Sequence, residues 1–294
     1  MFAIIITTLN NLKYLKLCID SINKNSKYNH EIIPHVNIGS DGTIEYLKKN
    51  NIDFTFTQEN SGICKGMNLA AKKSNNDYIL YAHDDFYFCP DWDDILEKEI
   101  KKIGHKYFYL SGTMMHNGQI DFNCGDTIEN FDENKFLSNY KKYNYYDFQG
   151  STWAPHLIHR DIWGEVNGFS EEYYPGTGSD PDLNMKLWKL GVRIFKGINN
   201  FKVYHFGSIV TRKFKGDPKI ITETGSKGAK IFLLKWGFSI KFFKKFIIKS
   251  DTEYIGELGV PNKDINYYFN LFFSKLNFFY VKYIYNFKNK HKLI

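Results

Sequence analysis

In the stretch "DYILYAHDDFYFCPDW", residues 77 to 92, an apolar segment with strand character runs directly into His83, Asp84 and Asp85. Buried strands rarely end in two adjacent carboxylates, because a charge removed from water needs a partner. Such a pair is either a solvated turn or a place where the chain holds a cation and a phosphate. Oxygen and imidazole ligands suit Mg²⁺ or Mn²⁺, which keeps several waters and bridges a diphosphate to protein through one or two carboxylates. Asp85 is placed for that role, and Asp84 for facing a ribose or orienting neighbouring loops. A second pair of acids lies in "SDPDL", residues 179 to 183. Asp180 before Pro181 reads as a helix N-cap with proline at the first helical position, and Asp182 suits the helix dipole.

The elements that must carry these residues alternate. "FAIII" is strand-like, and Leu12, Leu15, Cys18, Ile19 and Ile22 then recur at helical spacing. The alternation continues through "EIIPHVNI" and "TIEYLKKN", "IDFTFTQ" and "CKGMNLAAKKS", "YILYA" and "DDILEKEIKKIG", to the strand-like "YFYLSGTMM". Strands separated by helices of about ten residues need crossover connections, so the first hundred or so residues predict an α/β, mainly parallel sheet covered on both faces. Ligands belong at the carboxyl ends of such strands. "TTLNN", "GSDGT", "ENSGICKG" and "HDD" all sit there, so four loops converge on one rim.

Residues 116 to 150 turn polar and aromatic with weak periodicity and read as a long irregular insertion over the site. A short strand, a short helix, a helix over 181–190 and the strand "KVYHFGS" follow. Residues 226 to 250 hold seven lysines and no acid, with Phe232, Trp236, Ile240, Phe243 and Ile247 on one helical stripe. Such a basic amphipathic segment packs its stripe on the core or meets an anionic membrane surface. The aromatic, lysine-rich tail from Tyr267 to Ile294 repeats the theme. The chain divides on this reading into a catalytic domain, 1–225, and a basic, aromatic-rich helical region, 226–294.

Composition removes several classes. A 43% hydrophobic and 18% aromatic content excludes a mostly disordered chain. No apolar run approaches the roughly 20 residues of a membrane span, and "MFAIIITTLNN" reads as a first strand rather than a leader. Cys18, Cys64, Cys89 and Cys124 form no zinc pattern and fit a reducing, cytoplasmic compartment. A net charge of +7 favours anionic partners without indicating nucleic acid. Oligomeric state is not legible.

Taken in order, "ITTLNN", "GSDGT", "NSGICKGMNLA", "YILYAHDD", "VNGFSEEY", "GSDPDLNMKLWKLG" and "VYHFGS" resemble the family 2 glycosyltransferases with the GT-A fold, over roughly residues 2 to 210. The resemblance implies transfer of a sugar from a nucleotide-diphosphate donor, a UDP-sugar before others, to a hydroxyl of a glycan or other acceptor, with inversion and with Mn²⁺ or Mg²⁺. It makes Asp85 and His205 metal ligands, with His83 where the family carries an acid. It makes Asp180 the general base, with Asp182 second and Ser179 where a glutamate is usual. Nucleotide-sugar contacts fall to Thr8, Leu9, Asn10, Gly39, Ser40, Asn60, Gly62, Lys65, Asn68, His83 and Asp84. Asn37 and Ile38 stand where relatives carry an acidic pair, and Met67 replaces a common arginine. Trp153 and Trp163 flank the acceptor region, and Trp153 either stacks on the acceptor or is core. His205, outside this resemblance, reads as a core histidine. Two rivals remain: a catalytically silent nucleotide or sugar binder on the same fold, and a sugar nucleotidyltransferase. The second lacks its glycine-rich loop after the first strand, and no P-loop or dinucleotide fingerprint occurs.

Overall fold

A computed structural model describes residues 1–207 and 218–285, with side chains for 1–207 and 226–283. Ser208 of "VYHFGS" and residues 286–294 of the tail lie outside the described residues.

The strand β1 (Phe2–Leu9) is apolar almost throughout, as a strand covered on both faces must be, and Phe2 to Ile6 are wholly buried. β2 (Glu31–Asn37), β3 (Thr55–Thr57) and β4 (Tyr78–His83) join it in parallel in the order β3-β2-β1-β4. The crossover helices are α1 (Leu12–Asn25), α2 (Thr43–Lys49) and α3 (Gly62–Lys73). α1 buries Leu15, Cys18, Ile19 and Ile22, the stripe read from sequence. α3 approaches the sheet closely at Gly66, where a Cβ would lie 2.5 Å from the His35 ring. The parallel sheet expected of the first hundred residues is this half.

The other half is mixed. β5 (Phe86–Phe88), a strand that periodicity did not suggest, begins one residue after Asp85. After α4 (Trp92–Ile103) comes β6 (Phe108–Met115). β8 (His156–His159) then inserts antiparallel between β4 and β6. β9 (Ile194–His205) is twelve residues long, far beyond "KVYHFGS", because it runs parallel to all of β6 and also pairs antiparallel with β5 and with the short β7 (Phe148–Gln149).

The segment 116–150 is less irregular than its composition suggests. It contains the helix α5 (Glu133–Asn139), and Ile120, Phe122, Cys124, Phe136 and Tyr140 join Tyr87, Tyr204 and Phe206 in a second apolar cluster. α6 (Arg160–Glu165) buries Trp163, which packs edge-on against Phe169, so this tryptophan is core. α7 (Ser179–Leu190) begins two residues earlier than the Asp180 cap predicted. Gly178, at φ 90°, takes the N-cap and leaves Asp180 inside the first turn.

The boundary read between 225 and 226 falls within α8 (Pro218–Trp236). The 226–250 stripe is not one helix: the chain breaks at Gly237 (φ 77°) and resumes in a short turn, Ile240–Phe242, that widens into a π-helical turn, Phe243–Ile247. Phe232, Phe243 and Ile247 are nonetheless buried in the main core, with Trp236 and Ile240 packed against it. This stretch therefore packs on the protein. The final helix α9 (Ile265–Phe279) docks behind it.

Candidate active site

Crossovers leave β1 in opposite directions, so the reversal of strand order falls between β1 and β4, where open α/β sheets bind ligands. Thr7 stands opposite His83 across that gap, and the Thr8 hydroxyl donates to Asp84 Oδ2 at 2.7 Å. Burial and the adjacent Asp85 charge push the Asp84 carboxyl up to about 7. Thr8 and Asp84 thus tie the two strand ends together. Asn10, at φ 47°, accepts from the Ser40 N–H at 2.9 Å and so joins the first loop to the second, with Leu9 half-buried beside it and Gly39 at φ 71°. The uncharged Asn37 at the expected acidic pair is buried. Its Oδ1 accepts from Ser61 N at 2.7 Å, from Ser61 Oγ at 2.9 Å and from Thr57 Oγ1 at 3.1 Å, which fastens the second loop to the third.

β5 is the element that completes the site. Its antiparallel pairing sets Phe86 opposite His205, and Phe206 N donates to Asp85 O at 3.2 Å, so the strand following "HDD" carries the end of β9 with it. One ligand atom each from His83, Asp85 and His205 then lies within 4.8 Å of the others, and His205 Nε2 is 3.7 Å from Asp85 Oδ2. The His205 Nδ1–H donates to the Asn117 carbonyl at 3.2 Å, which orients the ring and leaves Nε2 facing the carboxylate. That Nε2 is shielded from solvent and has no hydrogen-bond partner among the described residues. Burial lowers the His83 imidazole to about 4, despite the Asp85 charge, so it stays neutral and able to ligate. This donor set, two imidazoles and one carboxylate with the His205 Nε2 left orphaned, fits a divalent cation. Asn117, at the start of the 116–150 segment, gave no signal in sequence.

The two acids of "SDPDL" differ sharply. Asp182 is fully buried and receives hydrogen bonds from Ser170, Tyr173, Lys235 and Trp236. Lys235 also forms an ion pair with Glu172 at 2.8 Å. Asp182 thus anchors α8 to α7, and its lone pairs are occupied, so it is not carried forward as the second base. Asp180 Oδ1 is equally shielded but has no partner among the described residues. Burial pushes its carboxyl up to about 7, the range a base needs to accept a proton at neutral pH. Burial raises the Tyr81 hydroxyl well above its ordinary value, and the negative charges of Asp180 and Asp85 push it in the same direction. Tyr81 itself shares a 2.9 Å hydrogen bond with His83 and packs on His156. His156 is held to Tyr109 at 2.9 Å, and its Nε2 is again without a partner among the described residues. Sequence reading passed over His156, because only the insertion of β8 beside β4 brings it there.

Other predicted residues are placed less openly. Asn60 Oδ1 accepts from Gly62 N at 3.0 Å, closing the turn before α3. Gly62, at φ 78°, leaves room for the Tyr174 ring, 2.8 Å from where its Cβ would lie. Both amide atoms of Asn68 clamp the Phe169 backbone at 2.9 Å, so the structure commits Asn68 to the 168–171 loop and away from the donor. Lys65 is exposed on the first turn of α3 and makes no ion pair with a described residue. Trp153 is half-buried, with one face on Phe148 at 5.8 Å and Lys244 Nζ 5.5 Å from its ring. Above α7, α8 crosses so closely that a Cβ at Gly228 would sit 2.0 Å from the Thr177 carbonyl.

No curated protein sequence matches the chain. Among solved structures it resembles S. aureus TarS: the 1–349 fragment shares 15% identity at a TM-score of 0.55, over 99% of this chain and 75% of that one. The same fragment in complex with UDP-GlcNAc gives 15% and 0.51, over 83% and 74%. At such identity the likeness is one of fold. Residues 3–162 match the model described as Glycosyl transferase family 2. That match spans more than half of the chain and holds both strand ends of the rim, which places the chain in glycosyl transferase family 2 and makes it a glycosyltransferase.

Proposed function

We propose that the chain is a metal-dependent, inverting glycosyltransferase that moves a sugar from a nucleotide-diphosphate donor to an acceptor hydroxyl in cytoplasmic glycan assembly. The observation that carries the reading is the shielded Asp180 Oδ1, which has no hydrogen-bond partner among the described residues. TarS in complex with UDP and with UDP-GlcNAc supports a UDP-sugar as donor.

Asp180 takes the proton of the acceptor hydroxyl at Oδ1 as that oxygen attacks the anomeric carbon. The bond from carbon to the β-phosphate oxygen breaks with its electron pair, so the nucleoside diphosphate leaves with the charge. Attack opposite the leaving group inverts the centre. Asp85, His205 and His83 would hold Mn²⁺ or Mg²⁺, which supplies a positive charge against the departing diphosphate. The tied loops Thr8–Asp84, Asn10–Ser40 and Asn37–Ser61 keep the rim in one geometry before the donor arrives, and Lys65 adds a cation at the start of α3.

Titration of UDP with and without Mn²⁺, followed by a donor-hydrolysis screen over a panel of nucleotide sugars, tests this. Metal-dependent binding with turnover of one donor is expected, and Asp85→Ala should weaken the metal-dependent binding at least tenfold, on the order of losing a ligand. Binding without turnover of any donor would overturn it.

A further inference from the structure

α9 presents a face that the other described residues leave open. Ile265, Phe269, Phe272, Leu276, Phe279 and Tyr283 recur at intervals of four and three along α9 and the turn after it, and each is 48–87% exposed. At 100° per residue they form one stripe, widened by Tyr268, Phe273 and Tyr280. The opposite face is the one that docks. Tyr267 packs on Phe242 at 5.0 Å, Ser274 Oγ accepts from Ser239 N at 2.6 Å, and Val281 is buried. The stripe therefore points away from the protein on a helix held firmly from behind.

Its flanks are unequal in chemistry. Helical spacing puts Lys275 and Lys282 on one side of the stripe and Asn266, Asn270 and Asn277 on the other. From Ile265 to Ile294 the sequence holds five lysines and no acid. A second copy of the helix would supply rings for the stripe but no carboxylate for these lysines, whereas paired helices use acids on such flanks. Anionic lipid headgroups answer both, since rings settle at the boundary between headgroup and acyl chain while lysines meet phosphate. None of the described helices is long and apolar enough to cross a membrane, so the helix would lie on the surface.

We propose that α9 docks the protein on an anionic bilayer, ring stripe inward and Lys275 and Lys282 at the headgroups. The proposal is independent of the transfer chemistry. The test is flotation of the full chain with vesicles of phosphatidylcholine alone and of phosphatidylcholine mixed with phosphatidylglycerol, alongside analytical ultracentrifugation. The chain should float with the mixed vesicles, several-fold less with the neutral ones, and less in high salt. Phe269→Ser, Phe272→Ser and Phe279→Ser together should lower binding at least tenfold with an unchanged melting temperature. Should that triple variant melt early, Lys275→Gln with Lys282→Gln carries the test, with a loss of roughly fivefold per lysine. Equal binding to both vesicle types, or binding unaffected by either set, would overturn the proposal. So would a dimer that the phenylalanine changes split while vesicle binding stays absent throughout.

Discussion

The rim of the sheet and the junction of α7 with α8 are both built around buried carboxylates, and they treat them in opposite ways. At the junction Asp182 receives four donors, one of them cationic. At the rim Asp180 Oδ1 and His205 Nε2 are sealed from water with no partner among the described residues. A buried polar atom left unpaired costs free energy, and that cost at Asp180 but not at Asp182 is what supports the proposed role of Asp180. The same turn of α7 thus contains one acid with four donors and one with a shielded oxygen that has no partner among the described residues, a difference of partners rather than residue type.

Exchanging each acid should separate the two roles. Asp180→Asn keeps the shape but removes the proton acceptor, so transfer should fall about 10³-fold in a labelled-donor assay while nucleotide affinity by titration stays unchanged. Retained transfer would dissolve the contrast. Asp182→Ala leaves Lys235 with Glu172 and Ser170 as partners but takes the acceptor from the Ser170, Tyr173 and Trp236 donors, and should lower unfolding free energy by about 3 kcal/mol in a denaturant melt. Asp180→Asn should leave that melt unharmed at neutral pH. Trp236→Phe removes one hydrogen bond to a charged group, and a loss of about 1.5–3 kcal/mol would show how much of the junction rests on the indole.

The mildest effect concerns pH. The folded Asp180 carboxyl sits at about 7, above the ordinary 3.8, so the native state binds more protons than the unfolded chain across that window. Stability contributed by this group is present at low pH and is lost as pH rises toward 7, with a slope of at most about 1.4 kcal/mol per pH unit. Asp180→Asn should remove that part of the slope, while catalysis in the unaltered protein should climb through pH 7 as the base ionises. Matching slopes in both proteins would erase the distinction between the acids.

Much of the rim was legible because a parallel sheet is written locally: β1 to β4 are apolar runs that end in polar loops, and such ends share one edge. The family resemblance added the metal role of His205 and the base role of Asp180, where local pattern offers only a core histidine and a helix cap. The anchoring of Asp182 is invisible to local pattern because its partners Lys235 and Trp236 lie 53 and 54 residues downstream. Asn68 was read as a donor contact, yet it clamps a backbone 101 residues away. β5 is three residues long and hidden inside an aromatic stretch, and His156 enters through an antiparallel insertion that periodicity cannot order. In each case the missing information was pairing between distant segments.

The glycine at 228 carries a mechanical consequence. With no side chain between them, the backbone of α8 rests directly on the loop that leads into Asp180. A bead of even one carbon at that crossing would act as a wedge against the Thr177 carbonyl, so the helix and the loop could keep their spacing only with hydrogen there.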